Sequence, residues 1–105
     1  MAEVYRHTFT FTGSDNTAQT SGLHSGMIIG VFAEHSASSN ATFTLKDDLG
    51  YNLLGSGGTS GNVNGSGAAT QIDQETMNGT AIAGNMVCDP TGNAGTLTVT
   101  VLIAP

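Results

Sequence analysis

The chain has 105 residues, 15 of them glycine, and a formal charge of −6, with Arg6 and Lys46 its only lysine or arginine residues. That length supports one domain with one modest core, taken here as residues 1–105. So few cations exclude the counterion-releasing contacts that nucleic acid or an anionic membrane would need. Threonine, serine and asparagine carry most of the polarity, and glycine is twice its usual share of about 7 per hundred. Patterned runs of β-branched and aromatic residues point to an all-β fold and not to disorder.

Residues 3–12 (EVYRHTFTFT) alternate: Tyr5, His7, Phe9 and Phe11 take one face, Arg6, Thr8, Thr10 and Thr12 the other. This is the period of a half-buried strand. Residues 13–26 are polar and punctuated by Gly22 and Gly26, a long connection with a short extended piece around 17–23. Residues 27–35 (MIIGVFAEH) are apolar on both faces, with Ile29 and Val31 on one and Ile28 and Phe32 on the other. Such a strand is covered twice within its own domain or lays one face against another subunit.

Residues 41–55 (ATFTLKDDLGYNLLG) read as a β-hairpin. Phe43 and Leu45 alternate with Thr42, Thr44 and Lys46, Asp47 and Asp48 lead into a turn at Gly50, and Tyr51 to Leu54 restart an apolar run. Residues 55–69 (GSGGTSGNVNGSGAA) form a glycine-rich loop, either free at the surface or ordered against a partner. Residues 71–77 (QIDQETM) suit one helical turn or a short strand equally. Residues 80–88 predict a strand with a bulge at Gly84, and residues 89–95 (DPTGNAG) a turn. The last strand, 95–104, is the clearest: Leu97, Val99, Val101 and Ile103 on one face, Thr96, Thr98 and Thr100 on the other. The first and last strands share a threonine-lined face and suit neighbouring places in one sheet. The architecture expected is an antiparallel two-sheet sandwich, jelly-roll-like, of about six to eight strands.

No catalytic constellation stands out. Zinc needs three or four converging ligands, usually paired on one element, whereas His7, His24 and His35 lie on separate segments and Cys88 is the single cysteine. No metal site, cofactor or internal disulfide is therefore expected, and Cys88 reads as a small buried residue. Asp47, Asp48 and Asn52 lack the spacing and closing glutamate of a calcium loop, and turn chemistry explains them. The serines have no framing sequence for a nucleophile. Threonine pairs at 8/10, 42/44 and 98/100 lack the repeats of an ice-binding array, and two tyrosines without tryptophan are a thin basis for sugar stacking. An enzyme is not expected.

Taken together, HTFTFTG, SGMIIGVFAE, TFTLKDDLGYNLLG and GTLTVTVLIA resemble, over most of the chain, the small structural proteins of tailed bacteriophages, especially the decoration or cement proteins of the head. That resemblance implies a β-sandwich bound outside the capsid shell, often as a trimer, clamping major capsid protein subunits against internal pressure. Residues 55–69 depart from it. Ile28, Phe32 and Leu102 are the candidate interface residues, Leu102 because it is apolar on a threonine-rich face. The expected partners are the major capsid protein and further copies of the chain, with a trimer favoured, and neither nucleic acid nor membrane. The expected location is the capsid surface, after synthesis in the host cytoplasm without a signal peptide. The competing reading is a tail or fibre adhesion module whose loops bind a cell-surface glycan.

Overall fold

The computed structural model describes residues 4–54, 60, 62–64, 70–71 and 80–105. All but Gln71 of the predicted segment 71–77, and most of the 55–69 loop, lie outside these residues. Among the described residues there are eight strands: β1 (Tyr5–Phe11), β2 (Gln19–Thr20), β3 (His24–His35), β4 (Thr42–Asp47), β5 (Thr70–Gln71), β6 (Thr80–Gly84), β7 (Met86–Thr91) and β8 (Leu97–Ala104). The larger sheet runs β1–β8–β3, with β5 and β6 sharing the far edge of β3, and the smaller runs β2–β7–β4. All pairings between these strands are antiparallel. The fold is the expected all-β, two-sheet sandwich.

The inner faces follow from the alternation. Phe9, Phe11, Leu97, Val99, Val101 and Ile103 from the larger sheet meet Phe43, Leu45, Met86 and Cys88 from the smaller one in a single buried cluster. As the shared pattern predicts, β1 and β8 are neighbours, in register from Tyr5↔Ile103 to Phe11↔Leu97. Their outer face carries Thr8, Thr10, Thr98 and Thr100, and the Thr8 and Thr100 hydroxyls stand 3.4 Å apart. Burying apolar area on one face while polar β-branched residues fill the other is what makes these sequences strands.

Strand β3 differs from its sequence reading. A β-bulge inserts Ile29 between Ile28↔Ile103 and Gly30↔Leu102, and an extra residue exchanges the faces beyond it. Ile28 and Val31 therefore both point into the core, Ile29 is exposed and Phe32 lies on the outer face. The expected grouping of Ile28 with Phe32 is thus corrected.

Two further expectations change. Residues 80–88 are not one bulged strand: β6 pairs with β3 in the larger sheet and β7 with β4 in the smaller. The chain changes sheets at Gly84, whose φ of 127° a side chain would resist. Asp89, Pro90 and Thr91 belong to β7 and not to a turn, which begins at Gly92. Pro90 is tolerated because β2 stops opposite Cys88, so the proline has a ladder neighbour on one side only.

The hairpin at β4 is present but irregular on its second side. Asp47 Oδ1 accepts the Leu49 and Tyr51 amides at 2.9 Å each, closing the turn as aspartate chemistry predicts. Past the turn, the chain runs along the free edge of β4 through Lys46↔Asn52 and, further on, Ala41↔Val63. Between them the Leu53 amide donates to Leu45 and the Ser60 amide to Phe43.

Candidate functional site

Strand directions place connections among the described residues at two ends of the sandwich. Residues 12–18, 36–41 and 92–96 gather at one end. The other collects the start of β1, residues 21–23, the turn after β4, the β6–β7 corner and the end of β8.

At the first end the loops are tied together by buried polar groups. Asn93, almost fully buried, donates from Nδ2 to the carbonyls of Phe11 (3.2 Å) and Asp15 (2.8 Å), while its Oδ1 accepts the Gly95 amide at 3.1 Å. Its own amide donates to Asn16 Oδ1 at 2.9 Å. His35, also buried, donates from Nδ1 to the Ser39 carbonyl at 2.9 Å and receives the Ala94 amide at Nε2, 3.3 Å away. Ser36 Oγ accepts the Thr96 amide at 2.8 Å. Three loops are thereby fixed to one another, because Asn93, His35 and Ser36 each bond across to another loop, Asn93 and His35 also within their own segment.

The second end has the opposite chemistry. Leu23 is 80 % exposed, Leu49 79 % and Tyr51 68 %, and Val4 and Tyr5 are each more than half exposed. Met27 and Ile29, the remaining exposed large hydrophobic residues among those described, extend this surface onto the outer face of β3. Isolated exposed leucines are ordinary, but a set gathered at one pole of a small domain makes that pole the candidate contact surface. The sequence reading missed Leu23 and Leu49. Each is an apolar residue inside a turn, next to Gly22 and Gly50 respectively, where no alternation gives it a core position.

The three expected interface residues separate. Ile28 is fully buried in the core cluster and presents nothing to a partner. Phe32 and Leu102 lie together, half-buried, on the outer face of the larger sheet. Both lean over Gly30: a Cβ there would meet the Phe32 ring at 3.4 Å and Leu102 at 3.5 Å. They continue the apolar strip that begins at Met27 and Ile29.

Two of the three histidines converge, which their sequence separation did not suggest. The His7 and His24 rings are 5.1 Å apart at an interplanar angle of 68°, and His7 also stands edge-on to Phe9 at 4.6 Å. Burial, and then the charge of His24, hold the His7 imidazole below its ordinary value. Among the described residues no group of three or more histidine, cysteine or acidic side chains could hold a metal ion. Cys88 is buried, and burial followed by the nearby Asp89 charge pushes its thiol far up, away from nucleophilic chemistry. Among the described residues there is also no helix long and apolar enough to cross a membrane.

The chain matches no known family model, no characterised protein and no solved structure.

Proposed function

We propose that this chain is a non-enzymatic structural protein of a tailed-phage virion, a decoration protein that sits on the capsid and clamps neighbouring major capsid protein subunits. The observation that carries this reading is the gathering of exposed apolar side chains at one pole, while the other pole hydrogen-bonds to itself. A small domain with one sticky end and a hydroxyl-rich flank is suited to end-on docking. Many copies of such a modest contact on a symmetric shell add up to strong reinforcement.

The strand order supports a jelly roll, a fold that capsid components use. β1, β8, β3 and β6 facing β2, β7 and β4 is the interleaving that nested Greek keys produce, with Asn52 and Val63 bridged to β4 and to Ala41 on the edge where the remaining strand would lie. Homo-oligomerisation, as a trimer, would use the outer strip of Met27, Ile29, Phe32 and Leu102. A second reading, glycan adhesion by a tail or fibre, draws on Tyr5 and Tyr51, the chain's two tyrosines, both exposed at the apolar pole.

Light scattering across a range of concentrations separates the two. The decoration reading expects a mass near three times 10.6 kDa and saturable binding to capsids of the encoding phage. A monomer that ignores capsids and binds glycans through Tyr51 would replace it with the adhesion reading.

A further inference from the structure

We infer that the His7–His24 contact is a proton-operated latch at the apolar pole: with both rings uncharged it holds the first half of β1 to the start of β3, and acidification releases it. The geometry carries this. β1 and β3 are not neighbours, since β8 lies between them, yet these two rings meet across the end of β8. The first half of β1 is a sheet edge, and the described ties from β1 to elements other than β8 otherwise lie at its far end, where Gln19 Nε2 donates to the Thr10 carbonyl at 2.7 Å and Asn93 Nδ2 to the Phe11 carbonyl at 3.2 Å. Toward Tyr5, the histidine contact ties β1 directly to β3, whereas the Thr8–Thr100 hydroxyl contact reaches only its ladder partner β8.

The surroundings favour the uncharged pair. On β1, His7 is flanked by Tyr5 and Phe9, with Arg6 on the opposite face. From β8 it is paired with Val101. From β6, Gly84 is the register partner of His24, and the carboxylate facing that position is Asp48, on the turn after β4: its Oδ2 would stand 2.9 Å from a Cβ on Gly84. Among the described residues of β1 and β8 there is no carboxylate to neutralise His7. A proton on His24 places a positive charge against a half-buried ring that already resists one. Because His7 binds its proton less readily with the latch closed than with it open, closure is favoured above about pH 6.5, the ordinary histidine value, and is progressively lost as pH falls below it. Val4, Tyr5 and Leu23 adjoin the latch, so its state would also govern docking. That consequence rests on the proposed function; the latch does not.

The test is histidine-resolved NMR titration together with amide hydrogen exchange, corrected for intrinsic rates, between pH 8 and 5. The expected result is a His7 midpoint below that of an exposed histidine, which moves up in His24→Gln. Protection of the Tyr5–Thr8 amides should fall on acidification by about tenfold per unit of that difference, while Phe9 and Phe11 hold. In His7→Phe, which keeps an aromatic ring beside Phe9, this fall should vanish. A His7 midpoint unchanged in His24→Gln, or β1 protection that falls equally in His7→Phe, would overturn the latch. If the latch behaves as expected but apolar-pole variants still bind capsids, the docking reading fails alone.

Discussion

At one pole of the sandwich, Asn93, His35, Asn16 and Ser36 turn three loops into a mutually hydrogen-bonded block; at the other, Leu23, Leu49 and Tyr51 stand in solvent with nothing to cover them. Both poles are made of turns rich in small polar residues, so composition does not separate them. The difference lies in where unsatisfied chemistry is left. The polar pole completes its contacts within the chain, while the apolar pole has contacts still to make. The proposed docking function would thus place stability and binding at opposite ends of one small domain.

This contrast can be broken by substitution. The largest effect is expected in the core that joins the two poles: Ile28→Asp buries a charge with no partner and should abolish folding, seen as loss of the β-sheet circular dichroism. Phe32→Asp, on the outer face, should fold and reduce self-association instead. Next, Asn93→Ala orphans the Phe11 and Asp15 carbonyls and the Gly95 amide, and should cost about 3 kcal/mol, measured by urea unfolding. Gly26→Ala should cost a similar amount, about 2–3 kcal/mol, because φ there is 140° and a Cβ would collide with the Ala104 carbonyl. At the apolar pole, Leu23→Ser with Leu49→Ser should change stability by less than about 0.5 kcal/mol each yet remove capsid binding. Smallest of all is the pH effect: the lowered His7 value predicts a slight fall in thermal stability below about pH 6.5, absent in His7→Phe.

Much of the framework was readable in the sequence. The first and last strands, their faces and their adjacency follow from strict alternation over Tyr5–Phe11 and Leu97–Ala104, where a one-residue slip would expose every core side chain. β3 was less transparent. It is apolar on both sides, so periodicity could not reveal that Ile29 is an inserted residue and that Ile28 belongs inside. Gly84 and Pro90 also misled, because a chain changing sheets and a proline on a one-sided strand resemble a bulge and a turn when only neighbours in sequence are considered. The candidate surface was partly readable: Leu102 stood out as apolar on a threonine-rich face, and Phe32 on a strand apolar on both faces, but Ile28, chosen for the same reason as Phe32, is core. Leu23, Leu49 and the His7–His24 contact depend on which turns share a pole, which is a property of strand order and not of local pattern.

The most direct test of the docking surface is co-sedimentation with capsids of the encoding phage. Wild type, the variant Leu23→Ser/Leu49→Ser/Tyr51→Ser, and a polar-pole control, Ser38→Asp, would be compared. End-on docking predicts saturable binding by wild type and the control, and loss of binding by a folded triple variant. Wild-type binding by the triple variant, or loss in the control alone, would contradict it.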